Sequence, residues 1–131
     1  MYTKPLLHSL YRVNLNTLCM QARAVCRHYY GTEVFIRGLI EFSNYCVRDC
    51  HYCGLRRSNR TLHRYRINQE EIVACARAAY TQGLRTIVLQ SGDDPAYTGA
   101  MLAALVRRIK KQCPGCALTL SIGERPFGDY A

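Results

Sequence analysis

The residues best suited to chemistry in this chain are Cys46, Cys50 and Cys53, in the run Cys46-Val-Arg-Asp-Cys50-His-Tyr-Cys53-Gly54. Their C-x3-C-x2-C spacing offers three thiolates and no local fourth. A closed structural zinc site wants four ligands. Three local thiolates suit an iron–sulfur cluster better, and leave one iron free to bind something else. His51 within the segment and His63 beyond it read as ordinary polar loop residues. No Ser-His-Asp order, phosphate-binding glycine loop or H-E-x-x-H motif competes for the chemistry.

The remaining cysteines take plainer readings. Cys19, Cys26 and Cys75 fall in helical patterns and are expected as small, buried or partly buried apolar residues. Cys113-Pro-Gly-Cys116 is a C-x2-C pair, and with Cys50 and Cys53 it could complete a zinc-ribbon-like tetrad in a basic, nucleic-acid-binding module. The roughly 60 residues between the pairs far exceed the usual 15–20, and Cys46 would be left without a role. A helix-to-strand turn, away from the functional face, is the better place for this second pair.

The whole chain sets limits on these readings. Its 131 residues, 49% of them hydrophobic, suffice for a core. No run of about 18 apolar residues is present, so a membrane span is not expected. The N-terminus lacks the apolar core of a secretory signal, so the eight cysteines are read as reduced thiols of a cytoplasmic chain, not as a disulfide framework. The net charge is +9, with Arg56, Arg57, Arg60, Arg64 and Arg66 in a stretch free of acids. Such a run is a solvated surface, a nucleic-acid footprint, or a face toward an anionic cofactor, substrate or acidic electron donor.

Apolar spacing then supplies the elements. Leu15, Leu18, Ala22, Val25 and Tyr29 mark an amphipathic helix ending near Gly31, and Val34 to Phe42 reads as a buried strand. Ser43 to Asn68 loses periodicity and carries the cysteines and arginines. Asn68 and Glu71 form a capping signal for a helix striped by Ile72, Ala76 and Ala79 and stopped by Gly83. Thr86 to Gln90 is a strand. Leu102, Leu105, Val106 and Ile109 define another helix, its last turn basic, and Ala117 to Ile122 a third strand.

Strands alternating with helices imply a parallel sheet, whose ligands gather beyond the carboxyl ends of the strands. The cysteine loop, Ser91-Gly-Asp-Asp-Pro95 and Gly123-Glu-Arg-Pro126 each follow a strand, so three polar segments are expected on one face. The expected class is α/β: about three parallel strands with helices, the incomplete N-terminal part of a TIM-like (β/α) barrel. A closed barrel needs about 250 residues, so a truncated chain or interrupted reading frame is expected. Residues 1–33 are read as an N-terminal helical segment and 34–131 as the start of the barrel domain.

Cys46, Cys50 and Cys53, after a first strand and before a capped helix, resemble the signature of the radical S-adenosylmethionine (SAM) enzymes. The segments Arg37 to Cys46, Tyr52 to Asn59, Arg64-Tyr-Arg66 and Thr86 to Gly92 are similar to the HydE family of [FeFe]-hydrogenase maturases, the likeness running from about Val34 to Arg125. The methylornithine synthase and biotin synthase group shares the general plan. The resemblance implies a 4Fe-4S cluster held by the three thiolates, with SAM chelated at the open iron and cleaved reductively to methionine and a 5′-deoxyadenosyl radical. It implies a low-potential electron donor of ferredoxin or flavodoxin type and other hydrogenase maturation proteins as partners, with neither membrane nor nucleic acid expected. Tyr52 stands where the family lays an aromatic against adenine. Ser91, Gly92 and Asp93 stand at the turn that receives the methionine amine, with Asp94 available to substitute for the shorter Asp93. Glu124 resembles an acid placed to meet the cofactor, and Arg48 would favour deprotonated thiols. The family's ribose-contacting elements lie on later strands, and neither catalytic residue nor substrate is assigned.

Overall fold

The structure, a computed structural model, describes residues 8–130. The chain divides into two compact units, Met1–Phe35 and Ile36–Ala131.

In the first unit, α1 spans Leu15–Tyr30. The Asn14 side chain caps it by accepting from the Asn16 amide at 3.0 Å, and the helix stops at Gly31 as its sequence predicts. The apolar stripe is present but uncovered: no residue of α1 is buried, and Leu15, Val25 and Tyr29 lie open. Cys19 and Cys26 are exposed as well, contrary to expectation, because no layer among the described residues of this unit covers the helix.

The second unit runs β1 (Gly38–Ser43), α2 (Gln69–Thr81), β2 (Thr86–Ser91), α3 (Gly99–Gln112), β3 (Ala117–Ser121) and a 3-10 turn at Phe127–Tyr130. All strand pairs are parallel, in the order β1-β2-β3. β1 starts four residues later than Val34, since its register opens at Gly38 opposite Ile87 and β2 offers no partner upstream of Thr86. Val34, Phe35 and Ile36 are consequently exposed, despite their strand propensity.

The Asn68–Glu71 capping box forms in full, with Asn68 Oδ1 accepting from the Glu71 amide at 2.9 Å and Glu71 Oε2 from the Asn68 amide at 3.2 Å. α2 packs against β1 and α3. Ile72, Ala76, Ile87, Leu89, Leu105 and Ile109, all essentially inaccessible, make the core between helices and sheet. The opposite sheet face carries Leu39, Glu41 and Thr119 and stays open.

Near its carboxyl end β1 breaks alternation. Glu41 pairs with Gln90, yet Ser43 and not Phe42 pairs with Ser91, so β1 holds one extra residue there. Phe42 and Ser43 are buried in succession as a result.

Candidate functional site

The three polar strand ends do converge. The Gly92 amide donates to the Ser43 carbonyl at 3.2 Å, and the Val47 amide to the Asp93 carbonyl at 2.9 Å. A Cβ on Gly92 would lie 2.2 Å from the Tyr45 carbonyl oxygen and 2.8 Å from Cys46 Cβ, so only glycine lets the loop after β2 touch the cysteine loop. Gly123, at φ +80°, presses on Asp93 in the same way, its Cβ position 2.5 Å from Asp93 Cα.

The cysteine loop is pinned at its stem. Asn44 side-chain atoms bridge to the His63 carbonyl at 2.8 Å and the Tyr65 amide at 2.7 Å. Ser43 and Arg66 form an antiparallel bridge. Arg64 reaches into the loop and donates to the carbonyls of Asn44, Leu55 (2.9 Å), Arg56 (2.8 Å) and Asn59 (3.5 Å). The Ser58 amide closes on Asp49 Oδ1 at 3.0 Å, and the Ser58 hydroxyl, then this amide, hold that carboxyl below its usual range, with Arg57 and Arg56 assisting.

Beneath the loop lies a buried charge pair. Asp94 is wholly inaccessible and accepts from Arg66 Nε at 2.7 Å and Arg66 Nη2 at 2.9 Å. Ser43 Oγ donates to it at 2.5 Å and the Ala96 amide at 3.0 Å. Burial pushes this carboxyl up, but the hydrogen bonds from Arg66, Ser43 and Ala96 outweigh it and leave it below the ordinary carboxylate range. The Arg66 guanidinium also stacks over the Tyr45 ring at 3.7 Å. Arg125 reaches back from beyond β3 to the carbonyls of Tyr97 at 2.8 Å and Asp94 at 3.1 Å. Asp94 is therefore committed to the scaffold and does not stand in for Asp93.

Asp93 lies nearer the surface, paired with Arg48 Nε at 2.7 Å, while Arg48 Nη2 pairs with Glu124 at 2.7 Å. Residues following all three strands thus meet in one ion triplet, with Arg48 spent on carboxylates. Cys46 and Cys53 are half-buried, Cys50 is exposed, and all three are free thiols. The Cys53 amide donates to the Cys50 carbonyl at 3.0 Å, closing a tight turn between them. Among the described residues, no group of three His, Cys, Asp or Glu is arranged to hold a metal ion. In type and number the donors fit an iron–sulfur cluster: three soft thiols in one loop. Tyr52 is 94% exposed beside them. Ser91 is buried, its Oγ donating to the Gly92 carbonyl at 2.7 Å. A cavity of about 170 Å³ opens on the uncovered sheet face, between Glu41, Gln90, Ser91, Leu55 and Tyr65.

Cys113 and Cys116 lie before β3, at the opposite end of the sheet, and both are fully buried. The five residues of β3 alone put roughly 16 Å between the two ends. The C-x2-C…C-x2-C zinc tetrad is thereby ruled out. Burial, with Cys116 close by, pushes the Cys113 thiol up. Cys75, expected to be covered, is exposed on α2.

Sequence reading missed the structural duties of Arg64, Arg66 and Arg125. The first two lay inside what read as a run of surface charge, and nothing in the spacing links Arg66 to Asp94, 28 positions away.

Comparison with known proteins decides the family. The Radical SAM superfamily profile matches residues 40–127, from within β1 to the start of the 3-10 turn. The chain belongs to the radical SAM superfamily. This radical SAM chain is 53% identical over 109 residues to the [FeFe] hydrogenase maturase subunit HydE of Thermotoga maritima, covering 83% of this chain and 31% of that protein. It is 39% identical over 83 residues to 3-methylornithine synthase of Methanosarcina acetivorans, covering 63% of this chain and 23% of the relative. The crystal structure of methylornithine synthase (PylB) superposes with a TM-score of 0.79 at 29% identity, covering 91% of this chain and 36% of that one. The three parallel strands and their helices are thus part of a radical SAM TIM-like barrel, and the chain spans less than a third of the length of the curated relatives it matches. Among the described residues, no helix is long and apolar enough to cross a membrane.

Proposed function

We propose that this chain carries the cluster- and SAM-binding portion of a HydE-like radical SAM enzyme acting in [FeFe]-hydrogenase maturation. Cys46, Cys50 and Cys53 hold a 4Fe-4S cluster, and SAM occupies the face where the three strand ends meet. When bound, the cluster supplies the electron for reductive cleavage of SAM to methionine and a 5′-deoxyadenosyl radical. The observation that carries this reading is the convergence of the cysteine loop, the Ser91-Gly92-Asp93 turn and Glu124 in a superfamily member.

On this reading the residues around the strand ends take distinct tasks. Gly92 brings the second strand end against Tyr45 and Cys46, so a ligand spanning the two loops meets a continuous polar edge. Asp93 and Glu124 share Arg48, and a SAM ammonium arriving at Asp93 would release one carboxylate from that cation. Tyr52 is free to lie against an adenine ring. A low-potential donor of ferredoxin or flavodoxin type supplies electrons, other hydrogenase maturation proteins are the partners, and an oxygen-sensitive thiolate site suits the reducing cytoplasm.

The test is anaerobic reconstitution with iron and sulfide. About four iron and four sulfide per chain, with thiolate-to-iron charge-transfer absorption, is the expected result. Alanine at Cys46, Cys50 or Cys53 should abolish it. A full cluster in those variants would overturn the assignment. A methylornithine-synthase-like activity is the second reading, favoured by the close superposition on that enzyme.

A further inference from the structure

We infer that Arg64 is a positioning residue that fixes the backbone of the cysteine loop by tying its two flanks together. The inference rests on the proposal that Cys46, Cys50 and Cys53 are the ligands, but the geometry behind it stands alone. The terminal nitrogens of Arg64 carry four N–H groups, and four backbone carbonyls accept from them: Asn44 and Leu55 at Nη1, Arg56 and Asn59 at Nη2. Asn44 lies two residues before Cys46, and Leu55 two after Cys53. One guanidinium therefore ties both flanks of the ligand segment to a common point, without itself being a ligand.

Carbonyl oxygens converging on one point repel each other, and buried they need donors. A loop whose backbone folds inward in this way is stable only around a cation with several donors in a plane. Arginine supplies five N–H donors in a fixed fork, whereas lysine supplies three from a single point. Among the described residues Arg64 makes no ion pair, unlike Arg48 and Arg66, so no carboxylate draws it from the carbonyls. Arg56 adds a smaller version of the same contact, donating to the Cys53 carbonyl at 3.2 Å. The turn bonds Cys53 amide to Cys50 carbonyl and Arg56 amide to Cys53 carbonyl sit inside this frame.

The test compares the 131-residue chain with Arg64→Ala, Arg64→Lys and Arg60→Lys, the last changing an exposed arginine of the same loop. In metal-free protein, Arg64→Ala should speed amide hydrogen exchange over residues 53–59 roughly ten- to a hundredfold, leaving the β2 and α3 amides unchanged. Millimolar guanidinium chloride, well below denaturing levels, should restore protection by refilling the vacated fork. Arg64→Lys should recover part of it, and Arg60→Lys should behave as the parent. After reconstitution, Arg64→Ala should hold substoichiometric iron with altered charge-transfer absorption, and guanidinium present during assembly should correct both. Unchanged exchange in Arg64→Ala, or disturbed exchange that guanidinium leaves unaltered, overturns the inference. So does a normal cluster in a variant whose loop has lost protection. If Arg64→Ala does not fold, Arg64→Lys carries the same readouts, and parental protection in it overturns the inference. A parent chain that takes up no cluster defeats the ligand assignment, while the exchange data still judge the fork.

Discussion

The two ends of the sheet hold cysteine groups of similar spacing in opposite surroundings. Beyond the carboxyl ends, Cys46, Cys50 and Cys53 sit at partly open positions in a loop held by Arg64, Asn44 and the Asp94–Arg66 pair. At the amino end, Cys113 and Cys116 are sealed in the core, Cys113 one turn after Ile109, where burial raises the Cys113 thiol. Thiols available to metal lie in a polar frame that fixes the backbone and leaves sulfur accessible. Thiols in an apolar pocket act as small hydrophobic side chains. Spacing nominates a site, and its surroundings decide whether the site can be used.

The comparison can be broken most forcefully at the frame. Replacing Asp94 by Ala leaves Arg66 without its partner and the Ser43 hydroxyl and Ala96 amide unmatched, at an expected cost of about 3 kcal/mol, moderated because Arg66 is partly exposed. Urea denaturation should show it as a lower midpoint. The pH dependence follows the same group. The Asp94 carboxyl titrates lower when folded, so its stabilisation is present above the unfolded value near ~3.9 and is lost as pH falls through the folded one. Asp94→Asn should flatten the loss of stability below about pH 4, and an unchanged acid limb would count against the pair.

Gly92→Ala comes next. Its methyl group must displace the Tyr45 carbonyl and Cys46, so about 2 kcal/mol and a clear fall in reconstituted iron are expected. Gly54→Ala, with open space around its Cβ, should stay within about 0.5 kcal/mol. Cys113→Ala removes a core sulfur and should cost about 1 kcal/mol with iron content unchanged, whereas Cys50→Ala should lose iron with little change in metal-free stability. The smallest effect belongs to Arg48→Ala, whose guanidinium is half exposed and whose partner Glu124 lies in solvent: the melting temperature should move little, and the part of any shift owed to Glu124 should vanish at high salt.

Much of this was legible in the chain itself. The order of elements, the capping box at Asn68 and the convergence of three strand ends followed from periodicity and turn chemistry, because those signals are local. The start of β1 was not, since Val34 to Ile36 have strand propensity and lack only a partner on β2. Cysteine burial came out reversed for Cys19, Cys26 and Cys75, because helical periodicity says which face is apolar and not whether anything covers it. Asp94 read as a spare for Asp93 because adjacent acids look equivalent in sequence. Only the fold brings Arg66 and Ser43 to one of them.

The extra residue in β1 has a consequence for how this fold tolerates change. Because Phe42 is the residue without an opposite number, Phe42 and Ser43 both turn inward, and Ser43 Oγ reaches Asp94. Deleting Phe42 would give an unbroken ladder but remove a fully buried ring that meets Tyr97 edge-on at 4.7 Å. Ser43 would inherit the inward position opposite Ser91, so the loss would be a cavity and not a flipped strand. Chains of this kind should therefore tolerate shortening poorly at the last three positions of β1, where perfecting the sheet would hollow its core.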